Sequence, residues 1–344
     1  MLKGLRALDL TDEKGFLCGK ILAELGVDVI KVERPGGDPA RMIGPFWHDQ
    51  ADPEKSLYWF AYNGSKRGIT LNLKTEDGKQ LFRDLVRTAD FLIESMPPGD
   101  MDRLGFGYPE LKRIRKDIIL TSITPFGQTG PYSRYQASDL VVMGMAGELF
   151  MTGDSDRRQV NISLPQACLH AGADAAVGTM IAHHHRRKTG EGQHVDVSMQ
   201  QSAAWFLAQT VPHWEMEHLI LGRVGTFRTS SRGPLQRQVW ECRDGYVFFN
   251  IIGGRGGAKT LRELVSWMES EGMPCTKEVA MAKAYINEKY KWVTEKGVLL
   301  HGAIGTSREH DMPLYFRRAK AADIRYGGTD FHREIVANKI GLVS

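Results

Sequence analysis

Within the first 33 residues the chain switches between two hydrophobic periods, and that switching restricts the fold more than any other feature. Leu5–Leu10 alternates as a strand does, Gly15–Leu25 follows as a helix stopped at Gly26, and Val29–Val32 is a second strand ending at Glu33. Strand, helix, strand at this spacing is a βαβ unit, which requires a parallel sheet and a right-handed crossover. The alternation continues through strand Gly68–Leu73, helix Gly78–Ala89, strand Phe91–Ser95 and strand Ile118–Thr124. A doubly wound, Rossmann-like α/β sheet is the expected architecture.

With 344 residues, 42% hydrophobic and 25% charged, the chain can bury a substantial core, as two domains or as one large α/β domain with an insertion. A net charge of +4 permits an anionic ligand, and no basic tail or aromatic–basic run points to nucleic acid. Cys18, Cys168, Cys242 and Cys275 lie far apart with no zinc spacing, so they read as free thiols in a reducing cytosol. MLKGLRALDLT is a strand pattern, not a leader, and no run approaches the roughly 18 apolar residues of a membrane span. A soluble, cytoplasmic protein is expected.

Ala167–His185 is a helix rich in small residues, a composition that lets another backbone or a ligand come close; strand His194–Met199 follows it. Residues 1–221 therefore read as a large domain and the Gly-, Arg- and Ser-rich stretch 222–238 as a linker. Val239–Cys242 and Tyr246–Ile252 form a hairpin around Asp244-Gly245, opening a smaller α+β unit to about residue 313; residues 314–344 return to the large domain.

Few single motifs carry chemistry. The run Gly253-Gly254-Arg255-Gly256-Gly257 offers backbone N–H groups to a phosphate, but it lacks the P-loop ending and reads equally as a strand-to-helix turn. The first βα turn, Thr11-Asp12-Glu13-Lys14-Gly15, is not GxGxxG, and two acids there repel a pyrophosphate, so no nicotinamide cofactor is expected. His183, His184 and His185 point about 100° apart on a helix, which suits a solvated helix end better than a metal. Arg34, Arg41, Lys66 and Arg67 suit phosphate chemically, although surface charge is the commoner role. Phe46, Trp47, Tyr58 and Trp59 suit an aromatic pocket or, more commonly, core.

Several stretches taken together resemble the family III CoA-transferases: LDLT, LAELGVDVIKVERPGGDPAR, YNGSKRGITLNLKTEDGKQLF, PPGDMDRLGFGYPEL, the FGQTGPY turn and RRKTGEGQHVDVSM. Six motifs in order make the resemblance specific; it is close over residues 1–205 and moderate over 239–270. It implies a Rossmann-like large domain with an inserted small domain, an interlocked dimer, and CoA or acyl-CoA as substrate with no metal. Position by position, it places Arg34 near the adenine and ribose, Leu71 and Lys74 beside the nucleotide, and Arg103 on phosphate. Ser95 and Met96 stand where the family often has Asn-Phe, and Thr124 and Phe126 where some members have Lys and Tyr. FHREIVANKIGL resembles the family's closing segment, while several tens of expected residues are missing between Pro274 and Arg325.

In the family, an aspartate attacks the acyl-CoA carbonyl and then carries CoA as a thioester, splitting one hard step into easier ones. Counting back from RRKTGEGQ puts Cys168 at that position, with Gly172 four residues on. Asp174, about 240° round the same helix, and the loop residues Asp154 and Asp156 do not replace it. Related racemases pair the aspartate with a histidine in the segment matching QASDLVV, where Ser138 now stands, so racemase chemistry is not expected. Three readings follow. The first is a subunit whose homologous partner supplies the aspartate in an interlocked heterodimer or higher oligomer, as in the succinyl-CoA:benzylsuccinate type of anaerobic aromatic degradation. The second is an enzyme using Cys168, which requires a lowered thiol pKa. The third is a CoA-binding scaffold without catalysis.

Overall fold

The six strands and three helices expected before residue 200 form close to where the hydrophobic periods place them, with shorter helices between them. The chain runs β1 (Arg6–Leu10), α1 (Phe16–Glu24), β2 (Asp28–Glu33), α2 (Leu57–Asn63), β3 (Arg67–Thr70) and α3 (Glu76–Thr88). It continues through β4 (Phe91–Glu94), α4 (Asp100–Leu104), α5 (Tyr108–Ile114), β5 (Ile119–Thr124), α6 (Asp139–Ala146) and α7 (Glu148–Met151). Then come α8 (Gln166–Thr189), β6 (His194–Ser198), α9 (Met199–Ala204) and α10 (Thr210–Glu217). The computed structural model describes residues 2–208, 210–230, 233–250, 254–302, 310–325 and 327–342, and its contacts divide the chain into two compact units, 1–247 and 248–344.

In the first unit six parallel strands lie in the order β3-β2-β1-β4-β5-β6. This is the doubly wound arrangement expected from the βαβ pattern. Because helices cover both faces, alternate residues of each strand enter different cores. Ala7, Val29, Phe91, Ile93 and Ile119 pack with α1, α6, α8 and α9, whereas Leu8, Ile30, Leu92 and Leu120 pack with α3, α4 and α5. Thr75 caps α3 by accepting a hydrogen bond from the Gly78 N–H at 3.2 Å, and Gly190 closes α8 in the left-handed region at φ 76°.

The small residues of α8 have a definite use. Ala167, Ala171, Gly172, Ala175 and Ala176 are buried, and α1 is among the elements packed on them. A Cβ at Gly172 would lie 2.9 Å from the Leu17 Cβ and 3.3 Å from the Cys18 backbone N. Overpacking of this kind costs about 1–3 kcal/mol. Gly172→Val is therefore expected to lower the urea midpoint without changing the slope of the transition. An unchanged midpoint would mean that α1 yields freely.

Beyond α10 the stretch expected as a linker carries secondary structure: β7 (Phe227–Ser230) pairs antiparallel with β8 (Gly233–Arg237), with Phe227 opposite Arg237. Backbone pairing supplies this structure, so the sequence shows no hydrophobic period there. The hairpin at Asp244-Gly245 forms, as β9 (Val239–Cys242) and β10 (Gly245–Phe248). Of the glycine run, Gly253 lies outside the described residues, and Gly254–Gly257 begin α11 (Gly254–Ser270).

In the second unit α12 (Thr276–His301) presents Ala280, Ala284, Asn287 and Thr294 as its buried face. Both α13 (Met312–Ile324) and α14 (Thr329–Lys339) pack against α12. Lys283 Nζ donates to the Ala322 carbonyl at 2.8 Å and Asn287 Nδ2 to the Asp323 carbonyl at 3.3 Å. Most of the described part of 314–344 lies in α13 and α14.

Candidate active site at the carboxyl ends of the strands

In a sheet of this order the strand sequence reverses between β1 and β4, and ligands bind in the crevice outside the strand ends at that point. Here the loops after β1 and β4 are joined across it. Asp12 N–H donates to Ser95 Oγ at 2.8 Å, and the Ser95 hydroxyl donates back to Asp12 Oδ1 at 2.7 Å. Below the first loop Asp9, fully buried, accepts from Thr11 N–H at 2.9 Å, Thr11 Oγ1 at 2.6 Å and Lys66 Nζ at 2.7 Å. Lys31 Nζ lies 3.6 Å from the same carboxylate and donates to the Thr11 carbonyl. Burial pushes the Asp9 carboxyl up, but the Lys66 and Lys31 ammoniums outweigh it and hold the group below the ordinary range.

Lys66 and Arg41, suited in sequence to phosphate, are committed to internal pairs. Lys66 also donates to the Phe16 carbonyl at 2.9 Å and Asn63 Oδ1 at 2.8 Å. Arg41 forks onto Glu33 at 2.7 and 2.8 Å and lies 4.2 Å over the Trp59 ring, while Arg67 pairs with Asp28. Trp59 is core, packed edge-on against Phe16 at 5.4 Å.

Cys168 occupies the third position of α8 and is 5% exposed. The preceding Pro165 has no side chain that can cap the helix, and Asp139, from the start of α6, takes over: its Oδ1 accepts from the Cys168 N–H at 2.9 Å. Tyr58, Glu13 and Lys14 complete the electrostatic surroundings of the thiol and of Asp139. Burial pushes the thiol up, and Asp139, by charge and side-chain hydrogen bonding, and then Glu13 add to the shift against the pull of Lys14. The thiol is protonated at neutral pH, the opposite of the lowered pKa that a nucleophilic cysteine requires. Burial and then Cys168 push the Tyr58 phenol up as well, so it remains a donor. Ser138, Asp139 and Leu140 line one side of an open cavity of about 360 Å³, and Asn161–Pro165 line the other.

The remaining sequence-predicted residues follow the carboxyl ends of the strands. Arg34 directly follows β2, is exposed, and donates to the Gly37 carbonyl at 3.3 Å. Leu71 extends the pairing of β3 with β2 through its N–H to the Glu33 carbonyl at 2.8 Å, and Lys74 is exposed three residues on. Met96 packs against the core and donates its N–H to Glu94 Oε2 at 2.7 Å. Arg103 projects from α4 and pairs with Asp100. Thr124, at the end of β5, is fully buried, with no hydrogen-bond partner for its hydroxyl among the described residues. Phe126 packs with Tyr132 and Tyr135 at 6.2 and 6.5 Å. His183 packs edge-on against Phe91 at 5.5 Å and its Nδ1 lies 3.0 Å from Arg186.

Two features were missed from sequence. One is Asp139, which sits beside Cys168 although 29 residues separate them. The other is a cavity of about 220 Å³ whose lining includes Glu94, Tyr108, Ser122 and His194. Ser122 Oγ lies 2.9 Å from His194 Nε2, and Tyr108 stacks on that imidazole at 5.6 Å. Burial raises Glu94 to about 7, against hydrogen bonds from Ser122 and the Met96 N–H, and burial lowers His194. Acids and hydroxyls at wholly buried strand positions, FLIE and ILTSIT, were the available signal.

This fold, with its switch-point loops and its α8 N-terminus beside a cavity, defines a doubly wound parallel α/β protein with a crevice at the carboxyl ends of its strands. The model of CoA-transferase family III matches residues 2–294, and the chain belongs to that family. A second model, the C-terminal domain of acyl-CoA dehydrogenases, matches residues 256–341, a stretch that includes most of FHREIVANKIGL. The chain is 39% identical over 268 residues to the succinyl-CoA:(R)-benzylsuccinate CoA-transferase subunit BbsE of Thauera aromatica, covering 78% of this chain and 64% of that one. It is 37% identical to a succinate–glutarate CoA-transferase of Agrobacterium fabrum, covering 64% of this chain and 56% of that one. The chain therefore spans somewhat less than two thirds of the length of these curated relatives. Among solved structures it resembles a CAIB/BAIF family protein from Brucella suis, with a TM-score of 0.67 and 27% identity over 99% of this chain and 81% of that one.

Proposed function

We propose that this chain is a subunit of a CoA-transferase that moves CoA between an acyl-CoA and a carboxylic acid, and that a homologous partner subunit contributes the family's attacking aspartate. The observation that carries this reading is the buried, protonated thiol of Cys168, at the position that the resemblance assigns to the nucleophile. A thioester on such a cysteine would also leave the acceptor carboxylate to form a free mixed anhydride, open to hydrolysis. The similarity to a protein named as one subunit of a benzylsuccinate CoA-transferase supports a heteromeric assembly and a place in anaerobic aromatic degradation; a cytoplasmic setting belongs to the same reading. In this reading Arg34 lies near the adenine and ribose of CoA, Leu71 and Lys74 flank the nucleotide, Arg103 pairs with phosphate, and Ser95, Met96, Thr124 and Phe126 stand at the family's remaining CoA-contact positions.

The test is a native mass spectrum of the purified protein together with a CoA-transfer assay on the same sample. A related second chain, with transfer that survives Cys168→Ala, is the expected result. A homomer whose transfer disappears with Cys168→Ala would make the cysteine the nucleophile and sink the partner reading.

A further inference from the structure

Loss of the family aspartate from α8 does not leave that helix start without a carboxylate. Asp139, from α6, accepts the Cys168 N–H at 2.9 Å and so lies where the positive end of the 24-residue α8 favours an anion. It borders the open cavity of about 360 Å³, and its charge is among the influences that keep the Tyr58 phenol protonated. The other acids near Cys168 lack this combination: Glu13 is exposed and is not among the cavity-lining residues, and Asp174 lies further along α8. We propose that Asp139 is the nucleophile of this chain's own half-site, a carboxylate supplied by a neighbouring helix in place of the one replaced by Cys168. This goes beyond the partner-supplied aspartate, which serves the partner's half, and it rests on the CoA-transferase reading.

The chemistry balances without an added reactant. An Asp139 oxygen adds to the thioester carbonyl carbon of bound acyl-CoA; the C–S bond breaks, giving CoA thiolate and a mixed anhydride. The thiolate attacks the Asp139 carbonyl carbon, the anhydride C–O bond breaks, and the donor leaves as a carboxylate while Asp139 carries CoA as a thioester. The acceptor carboxylate attacks that thioester and releases CoA thiolate, which takes the acceptor acyl group and frees Asp139. The Cys168 N–H holds the Asp139 oxygen that stays on the aspartyl carbon throughout, and the cysteine side chain makes no bond.

The experiment incubates the full chain with succinyl-CoA and no acceptor, quenches with hydroxylamine, and maps hydroxamates by peptide mass spectrometry. CoA binding is measured calorimetrically on the same samples. A hydroxamate at residue 139 is expected in the wild type and in Cys168→Ala. It is expected to be lost in Asp139→Asn, whose amide oxygen still accepts the Cys168 N–H and leaves the thermal midpoint and CoA binding in place. Label at Cys168, or bound CoA without label at residue 139, overturns the Asp139 assignment and leaves the CoA-transferase reading standing. Absence of CoA binding in the wild type overturns both.

Discussion

Lys66→Met is expected to reduce the unfolding free energy by about 3–5 kcal/mol, the cost of leaving a buried charge without its partner. The side chains of Lys66 and Asp9 are 1% and 0% exposed, so water cannot replace the lost ammonium. Asn63 and the Phe16 carbonyl lose the same donor, while Lys31, at 3.6 Å, retains part of the compensation for Asp9. The measurement is the urea midpoint at constant slope, and a loss below about 1 kcal/mol would show that the pair is hydrated. The double variant Asp9→Leu with Lys66→Met should recover much of the loss, because removing both charges also removes the desolvation cost. Its fold would then lack the tether beneath the Thr11–Gly15 loop, and the expected readout is weaker CoA binding in a stable protein.

Glu94→Gln is expected to stabilise the protein by about 3 kcal/mol at pH 8 and to have little effect near pH 4. The wild-type carboxyl is raised from its ordinary 4.5 to about 7 by burial. Between those values the unfolded chain releases a proton that the folded chain keeps, so folded stability falls as pH rises through this window and levels off above it. Glutamine cannot ionise and retains an acceptor for the Met96 N–H, so the difference between the two proteins isolates the titration. Denaturant unfolding at several pH values checks it; a difference that stays flat from pH 4 to pH 8 would mean that Glu94 ionises freely in the folded state.

The order of strands and helices from β1 to β6 was legible because each element is long enough to show its own period, and a right-handed crossover leaves few ways to connect them. The six motifs that carry the family resemblance lie in that same stretch, and the family followed from them. The paired strands of 227–237 were not legible, since backbone hydrogen bonds leave no mark on side-chain pattern. FHREIVANKIGL, which resembles a family closing segment, lies largely in α14, and α14 packs on α12. Hydrophobic period reports that a helix buries one face and does not report against what.

Of the candidate site, the sequence by itself determined that position 168 carries a thiol and that a run of small residues brings α8 close to α1. Only the tertiary structure decided which charges are available. Lys66 and Arg41 carry the composition of phosphate ligands, yet Asp9 and Glu33 occupy them. Asp139 reads as an ordinary helix-start acid, and it reaches Cys168 because the fold sets the start of α6 against the start of α8. Covalent order fixes which groups a chain possesses and its local periods. Which charges meet, which lose their water and which still face a cavity depends on packing between distant segments, where ionic interactions are strongest.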